Sequence, residues 1–489
     1  MAPHTDTGAP LMLGVSGMRG IVGKSLTPEV ALRYAAAFGG WLRERDRIGM
    51  VAVARDGRRG GEAIYEAAIA GLLGAGCAVT RLGVAATPTV GRVAADLDGA
   101  IIVTASHNPQ AWNGLKLLLA GSVDIDEEPF EFACAPPADI AAQIIERFHG
   151  EPRWETAAAD RPLEDHAEAA YEHWMSLAGG LLGVLPEALL DRWNDTGSIG
   201  LRFVVDAVNS SGSTIAVPFL DYLGGVVPLH CGNSGVFPHT PEPTRENLSG
   251  AGGLCSVVPG VGAAAGFAQD PDADRLAIVD ETGAYIGEEY TFVLAALALL
   301  EHDRPDDAVL VANLSTSRMI DDVAARFGAR VERTPVGEAH VVQRMIERMQ
   351  AGDNVILGGE GNGGVIWPSV CFVRDSLSAM ALTVLLLCQR GRPLSEIVAE
   401  IPRYAIIKRT QPLARKSDAE PAIEAVAEAF AARGRVDRQD GVRVDLEEQR
   451  AWFSVRASNT EPILRLIAEA PDEATAAALL DEAAGLVPN

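Results

Sequence analysis

The chain has 489 residues, and 48% of them are hydrophobic, which is enough for several domains with their own cores. Its formal net charge is −25, so the composition excludes the basic footprint of a nucleic-acid-binding protein and argues against an anionic membrane surface. Scattered cysteines without a paired spacing, no recognisable signal segment and no apolar run of membrane-spanning length together predict a cytoplasmic protein.

The first part of the chain predicts alternating strands and helices. Thr27-Pro28 is typical of a helix N-cap followed by proline at the first helical position. A further helix is expected after Thr87-Pro88. The other predicted elements in this part are strands at 50–54, 78–82 and 100–103 and a helix at 62–73. This order predicts a parallel sheet covered by helices.

The alternation recurs twice, and the pattern changes near the end of the chain. The recurring strands are predicted at 201–205, 264–268, 276–279, 308–311, 330–333 and 354–357, and the helices at 213–223, 316–327 and 339–349. Residues 121–165, rich in Pro, Asp and Glu, are expected to link the first two blocks. Short alternating strands at 442–446 and 451–455, between two helices rich in Ala and Glu, predict a smaller α+β domain.

The predicted fold class is therefore α/β, with three similar mixed α/β domains and a smaller C-terminal α+β domain. The predicted domain bounds are 1–160, 161–285, 286–399 and 400–489.

The segment Thr104-Ala-Ser-His-Asn-Pro109 follows a strongly apolar predicted strand. Ligands bind beyond the carboxyl ends of parallel strands, so Ser106 and His107 are expected at a binding edge, with Lys116 returning toward the same loop. A serine with a basic neighbour is a candidate nucleophile. The alternative is a structural helix N-cap at Ser106 or Asn108.

The segment Asp270-Pro-Asp-Ala-Asp-Arg275 places three carboxylates at alternate positions. Such a set suits one hard cation with oxygen ligands, and we predict a compact Mg²⁺ site at Asp270, Asp272 and Asp274. An EF-hand loop is excluded because Arg275 stands where the glycine is required and a strand follows. The alternative is a solvated acidic turn.

Two later segments carry polar groups suited to a phosphorylated sugar. The glycine-rich stretch 358–364 presents Glu360 and Asn362, whose oxygens and amide suit a polyol. The segment beginning at Arg456, together with Arg465, supplies two guanidinium groups and hydroxyls that suit a phosphate. Ordinary turns and surface ion pairs are the alternatives.

Taken in order, these segments resemble the phosphoglucomutase/phosphomannomutase family, the α-D-phosphohexomutases, which include phosphoglucosamine mutases. The resemblance covers essentially the whole chain. Its motifs are SGMRG at 16–20, TASHNP, NGLK at 113–116, DPDADR, TPVGEAHV at 334–341, GGEGNGG and RASNTEP at 456–462.

The resemblance implies an isomerase that interconverts hexose or hexosamine 1- and 6-phosphates through a phosphoserine and a sugar bisphosphate, in a central active-site cleft. It implies that Ser106 carries the phosphoryl group and contacts the metal through it, with Mg²⁺ held by Asp270, Asp272 and Asp274. The implied catalytic neighbours are His107, Lys116, Arg19 and Arg275. The implied substrate-binding residues are Glu360, Asn362, Arg456, Ser458, Asn459, Thr460 and Arg465.

The implied partners are small sugar phosphates, with no nucleic acid and no membrane, and the implied assembly is a monomer or homodimer. Asn362, Gly364, Ser376 and Asn459 depart from residues frequent in the family, which bears on the sugar and not on the reaction type. A non-catalytic phosphosugar-binding protein and a sugar-phosphate phosphatase are the competing functions. Isomerisation without net phosphate release distinguishes the mutase from both.

Overall fold

The computed structural model describes residues 11–45, 48–125, 128–152, 154–155, 162–185, 195, 198–303, 307–458 and 462–487. Its helices are α1 Pro28–Arg43, α2 Gly61–Gly74, α3 Thr87–Ala94, α4 Ala138–His149, α5 Ala169–Leu182, α6 Ala216–Leu223, α7 Arg245–Leu248, α8 Leu254–Gly260, α9 Glu288–Asp303, α10 Met319–Arg326, α11 Glu338–Gln350, α12 Ser376–Arg390, α13 Leu394–Ala399, α14 Ala419–Phe430 and α15 Glu473–Gly485.

The strands are β1 Met12–Gly14, β2 Gly17–Ile21, β3 Met50–Arg55, β4 Ala78–Val84, β5 Gly99–Val103, β6 Trp112–Ile125, β7 Glu128–Cys134, β8 Leu163–Asp165, β9 Arg202–Asp206, β10 Gly225–Leu229, β11 Ala265–Gln269, β12 Leu276–Asp280, β13 Val309–Asn313, β14 Arg330–Thr334, β15 Val355–Glu360, β16 Gly364–Ile366, β17 Ala405–Pro412, β18 Arg435–Asp437, β19 Val442–Leu446, β20 Ala451–Ala457 and β21 Ile463–Ala470.

Three blocks of the chain share one sheet topology. Their spatial strand orders are β4-β3-β5-β6, β10-β9-β11-β12 and β14-β13-β15-β16. In each block the first three strands are parallel and the last is an antiparallel partner joined by a short turn. The first sheet is extended by β1 and β2 on one side and β8 on the other, and β7 pairs with β6. The predicted three similar α/β units are confirmed.

The last part of the chain is a five-stranded sheet in the order β17-β21-β20-β19-β18, antiparallel throughout. It has a core of its own, in which the rings of Phe430 and Phe453 lie 4.6 Å apart at their centroids. The predicted C-terminal α+β domain is therefore confirmed. By contrast, the largest apolar cluster runs through all three α/β blocks and includes Val90, Phe203 and Leu382.

The prediction of a link over residues 121–165 is wrong. Most of this segment forms the β6–β7 hairpin and helix α4, which packs against α1. Ala141, Ile144 and Phe148 are buried at helical spacing, and the ring of Phe148 lies 5.6 Å from that of Tyr34. The polar composition that suggested a link belongs to the exposed faces of these elements.

Helix boundaries also differ from the prediction at two places. The helix expected from residue 213 begins at Ala216, because Ser211–Thr214 form a 3₁₀ turn ahead of it. The helix expected over 316–327 runs from Met319 to Arg326. The N-cap at Thr27 is confirmed, since its side chain accepts a hydrogen bond from the amide of Val30. In the described part of the chain, every helix is too short or too polar to cross a bilayer.

Candidate active site

The three predicted chemical segments occupy the same place in the three α/β blocks. The loop with Ser106 joins β5 to β6, the loop with the three aspartates joins β11 to β12, and Gly361–Gly363 join β15 to β16. In each case a buried parallel strand ends and an antiparallel strand begins. Three sheets thus bring one polar turn each to a common site.

Ser106 is buried and strained. Its φ is +50°, a left-handed conformation that is uncommon for serine, and its amide donates to the Thr104 hydroxyl at 2.9 Å. The Arg58 guanidinium donates to the Ser106 carbonyl at 2.5 Å and also to the carbonyl of Trp112. No helix starts here within the described residues, because β6 begins at Trp112. The alternative of a helix N-cap at Ser106 or Asn108 is therefore wrong.

The Ser106 hydroxyl reaches the loop of the second block. Its Oγ donates to Asp270 Oδ2 at 2.7 Å, and it lies 3.3 Å from Nδ1 of His107. A serine of the first block and an aspartate of the second, 164 positions apart, are thereby in direct contact. This places the hydroxyl of the candidate nucleophile beside the predicted metal ligands.

The carboxylates of Asp270, Asp272 and Asp274 are buried, and one oxygen of each lies within 4.8 Å of the others. Thr87 donates to Asp272 Oδ2 at 2.9 Å, whereas Oδ1 of Asp272 and Oδ1 of Asp274 lack hydrogen-bond partners among the described residues. A buried carboxylate oxygen without a partner is costly, and three clustered carboxylates repel one another. A hard divalent cation removes both penalties, so the residues present fit Mg²⁺.

A set of cations balances these acids. Lys116 Nζ lies 3.0 Å from Asp274 Oδ2 and 3.4 Å from Glu338 Oε2. Arg374 Nη2 donates to the same Asp274 oxygen at 2.6 Å. Burial disfavours the charged form of Asp274, but Arg374 and Lys116 hold its pKa well below the usual range. Arg275 adds a weaker pairing, 3.9 Å from Asp274 Oδ1.

Arg19 belongs to the same electrostatic group. It lies on β2 opposite Gly114 of β6, and burial lowers its pKa while the nearby charges of Asp272 and Asp274 raise it. The cations Arg19, Lys116, Arg275 and Arg374 thus stand around three aspartates in a protein of strongly negative net charge. Such a local concentration of basic groups attracts an anionic ligand.

His107 and Lys116 differ in protonation. Burial, with the charges of Arg275 and Arg19, lowers the pKa of His107 to about 4, so its imidazole is neutral at pH 7 and able to accept a proton. Burial opposes the charge of Lys116, but Glu338 and Asp274 raise its pKa, so it remains an ammonium ion. The site therefore pairs a neutral base with a fixed cation.

The loop of the third block presents a carboxylate held from two sides. Glu360 Oε1 accepts from Asn313 Nδ2 at 2.7 Å, and Oε2 accepts from Arg374 Nη1 at 2.7 Å. Asn362 uses its Oδ1 to accept from the Gly364 amide at 3.2 Å, which closes the turn. Glycine is required at 363, where φ is +84° and a Cβ would overlap the Leu276 carbonyl.

The predicted phosphate-binding residues lie in the C-terminal domain. Arg456 on β20 and Arg465 on β21 are directly opposite each other, and the Ser458 amide donates to the Ile463 carbonyl at 3.0 Å. Arg456 Nη1 donates to Asp440 Oδ2 at 2.9 Å. Within the described part of the chain, neither arginine makes a hydrogen bond or ion pair with Ser106 or with the three aspartates at 270, 272 and 274. Asn459 and Thr460 lie outside the described residues.

Three residues of the site were not singled out from the sequence. Arg58 holds the Ser106 loop, while Arg374 and Glu338 join the loops of the three blocks. Arg374 immediately precedes Asp375, the N-cap residue of α12, and Glu338 is the first residue of α11. Both residues thus lie where a loop enters a helix. Glu338 falls within the quoted motif TPVGEAHV, which was the available signal.

A serine hydroxyl, clustered carboxylates and surrounding cations on a mixed α/β scaffold are typical of phosphoryl transfer. The comparisons agree with this class. The four models of the phosphoglucomutase/phosphomannomutase family match the chain: α/β/α domain I at residues 10–131, domain II at 188–283, domain III at 287–404 and the C-terminal domain at 411–486. The chain therefore belongs to this family.

Individual relatives extend over the whole chain. A phosphoglucomutase/phosphomannomutase of Thermococcus kodakarensis is 34% identical, with 96% of this chain and 97% of the relative covered. A probable phosphoglucosamine mutase of Methanopyrus kandleri is 35% identical, with 97% of each covered. The crystal structure of a family protein from Burkholderia thailandensis has a TM-score of 0.77 at 26% identity, with 96% of each chain covered. The expectation of a phosphohexomutase, an enzyme of the isomerase class, is confirmed.

Proposed function

We propose that this phosphohexomutase carries its phosphoryl group on Ser106 and interconverts the 1- and 6-phosphates of a hexose or hexosamine. The observation that carries the proposal is the 2.7 Å hydrogen bond from Ser106 Oγ to Asp270 Oδ2. It joins the candidate nucleophile to a cluster of buried carboxylates that fits Mg²⁺. The names of the relatives from Thermococcus kodakarensis and Methanopyrus kandleri support the sugar class.

Asp270, Asp272 and Asp274 would hold the Mg²⁺, with Ser106 contributing through its phosphate. When bound, the ion supplies positive charge that offsets the charge of the phosphoryl group. The Oδ1 atoms of Asp272 and Asp274, which have no hydrogen-bond partner in the described part of the chain, support this ligand set. Arg275 and Arg19 extend the positive charge around the transferring group.

The chain's residues divide the work of one transfer as follows. The phosphoryl group leaves Ser106 Oγ for the free hydroxyl of a sugar monophosphate. The neutral His107 accepts the hydroxyl proton and passes it to Ser106 Oγ, which lies 3.3 Å from its Nδ1. Lys116, kept charged by Asp274 and Glu338, offsets the negative charge that develops on the departing Ser106 oxygen. The bisphosphate then turns around, and its other phosphate returns to Ser106, which restores the phosphoserine.

The remaining residues position the sugar. Glu360 and Asn362 would bind hydroxyl groups, and the loop from Arg456 to Arg465 would hold the phosphate that does not react. Its members are Arg456, Ser458, Asn459, Thr460 and Arg465. We also infer domain bounds of 1–160, 161–285, 286–399 and 400–489, with the site in a cleft among the four domains.

The test compares the wild type with Ser106→Ala and, as a matched control, with the exposed Ser256→Ala. Intact mass and peptide mapping should show one phosphoryl group on Ser106 in the wild type and in the control. Mutase activity should be lost only in Ser106→Ala, measured over glucose, mannose and glucosamine phosphates. Full turnover by Ser106→Ala would contradict the assignment.

Metal dependence is tested separately. Chelation should stop transfer, and Mg²⁺ should restore it in the wild type but not in Asp272→Ala. The phosphatase function predicts release of inorganic phosphate without isomerisation, and the binding function predicts neither. The same substrate panel identifies the preferred sugar.

A further inference from the structure

A second cluster of metal-ligating side chains lies in the middle α/β block. His230 Nδ1 is 2.9 Å, and His239 Nε2 is 3.1 Å, from the same oxygen of Asp206, Oδ2. The carboxylate is buried, whereas the two imidazoles are partly exposed, at 28% and 20% of their side-chain surface. The three donor atoms thus converge on a point that solvent can reach.

Asp206 departs from its counterparts in the other two blocks. Equivalent residues stand at or just after the ends of β3, β9 and β13, namely Asp56, Asp206 and Asn313. In each of them Oδ1 accepts a hydrogen bond from the backbone amide two residues later. Asp56 and Asn313 use their second polar atom to hold the active-site turn of their own block, through Thr104 and Glu360 at 2.7 Å. Asp206 instead directs its second oxygen to two histidines.

The tautomer of His239 makes this arrangement suit a cation. Its Nδ1 lies 2.8 Å from the Thr240 carbonyl, which only accepts hydrogen bonds, so Nδ1 carries a proton. A neutral imidazole then points the lone pair of Nε2 at the Asp206 carboxylate, which is also an acceptor. The contact needs a second proton or a metal ion. Histidines that bind a metal through one ring nitrogen usually donate a hydrogen bond from the other ring nitrogen to a carbonyl or carboxylate oxygen, as Nδ1 of His239 does here.

The donor separations suit a small metal ion. Ligand atoms about 2.0 Å from a tetrahedral zinc ion are roughly 3.3 Å from one another. The two nitrogens lie 2.9 and 3.1 Å from Asp206 Oδ2, which needs an adjustment of a few tenths of an ångström, and all three donor atoms lie within 4.8 Å of one another. Two imidazoles and one carboxylate favour zinc or a related late transition ion over Mg²⁺, which prefers an all-oxygen set.

The cluster sits at the base of a loop that holds the phosphoserine turn. Between His230 and His239, the Gly235 carbonyl accepts from the Arg59 amide at 3.1 Å and from Gln110 Nε2 at 3.0 Å. The Phe237 amide donates to Gln110 Oε1 at 3.0 Å. The loop is thus fixed at both ends by the cluster and fastened at its tip to the segment that follows Ser106.

We propose that Asp206, His230 and His239 bind a divalent transition-metal ion, with zinc as the natural occupant, which clamps residues 230–239 against the Ser106 loop. The fourth position is left to solvent. This site is separate from the three aspartates and independent of the sugar that the enzyme uses.

The test is a Co²⁺ titration of the metal-free full chain in saturating Mg²⁺, which keeps the aspartate site filled. We expect one equivalent of Co²⁺ with the strong visible absorption of a four- or five-coordinate site, displaced by one equivalent of Zn²⁺. His239→Gln and His230→Gln should each weaken binding at least about tenfold. The matched control His149→Gln, at an exposed helix end, and the aspartate-site variant Asp272→Asn should titrate like the wild type.

A wild type that shows only the weak absorption of six-coordinate Co²⁺ would overturn the proposal. So would histidine variants that bind Co²⁺ as the wild type does. Either result would leave a hydrogen-bonded triad with a protonated His239. Because the wild-type spectrum decides the matter, the conclusion does not depend on the stability of the variants, and it is independent of mutase activity.

Discussion

Arg374 should be the residue whose removal most clearly destabilises the site. Its guanidinium donates to Asp274 at 2.6 Å and to Glu360 at 2.7 Å, and its Nε lies 3.5 Å from Glu338. The side chain is buried, so solvent cannot replace these contacts. In Arg374→Met, Lys116 still pairs with Asp274 and Glu338, whereas Glu360 loses its ion pair and keeps only the influence of Arg275 among the nearby cations.

The expected cost follows from these contacts. Two charge-assisted hydrogen bonds are typically worth about 1.5–3 kcal/mol each. Removal of one partner of a buried ion pair costs about 3–5 kcal/mol. We therefore expect Arg374→Met to lower the free energy of unfolding by about 3–5 kcal/mol at pH 7. Adding Glu360→Gln removes the stranded charge and should recover about 2 kcal/mol of that loss.

The loss should also depend on pH. Burial opposes the charge of Glu360, but Arg374 and Arg275 lower its pKa in the folded protein. A carboxyl group with a lowered pKa adds stability that is present above its unfolded pKa and is lost as the pH falls through the folded value. Without Arg374, burial is the largest influence on Glu360 and should raise its pKa in the variant. The folded variant then takes up a proton at this group as the pH falls, so its difference in stability from the wild type should narrow between pH 7 and 4.

The assay is urea unfolding followed by circular dichroism and tryptophan fluorescence. Arg415→Met is the matched control, because its side chain is 78% exposed and a surface ion pair contributes little. A loss below about 1 kcal/mol in Arg374→Met would refute the reasoning, given the contacts described. An additive further loss on introducing Glu360→Gln would refute it as well.

Three further predictions concern other parts of the molecule. Burial raises the pKa of Glu289 to about 8. Between about pH 4.5 and 8 the folded protein therefore binds more protons than the unfolded chain, and its stability falls as the pH rises. Glu289→Gln should reduce this fall in stability, as measured by unfolding at pH 5.5 and pH 8. Arg456→Ala should weaken sugar-phosphate binding by about 1.5–3 kcal/mol and release more bisphosphate, with phosphorylation of Ser106 unchanged, and wild-type affinity would contradict the phosphate-binding role. Gly363→Ala should distort the turn that carries Glu360 and raise KM. Gly250→Ala, at an exposed position without positive φ and with nothing within 4 Å of a Cβ, should leave KM unchanged in steady-state assays.

The sequence predicts the repeated α/β blocks well because their central strands are nearly continuous apolar runs bounded by turns. Gly99–Val103 and Ala265–Gln269 are buried along their whole length. The site is predictable where neighbouring residues share one chemical task, as in the alternating aspartates of 270–274. The structure of residues 121–165 is not predictable from composition, because their hairpin depends on the pairing of β7 with β6, which composition does not reveal.

Arg58 and Arg374 could not be found from local sequence. Arg58 pairs with Asp56 two residues away, but its importance comes from carbonyls about 50 positions later in the chain. Arg374 pairs with an aspartate 100 positions earlier. Nothing in a short window distinguishes either of them from a solvent-exposed arginine, and only the folded arrangement shows which buried acids need a counter-charge.

The shared topology separates what this enzyme does from what it acts on. The proposed nucleophile, metal ligands and sugar contacts lie on or beside three turns that are equivalent in their sheets but distant in the chain. Mutations in the turn at 361–363 can therefore alter sugar preference while the phosphoryl-transfer apparatus of the other two blocks stays under unchanged selection. One scaffold can thus give rise to enzymes for different hexoses by divergence within a few residues of a single block.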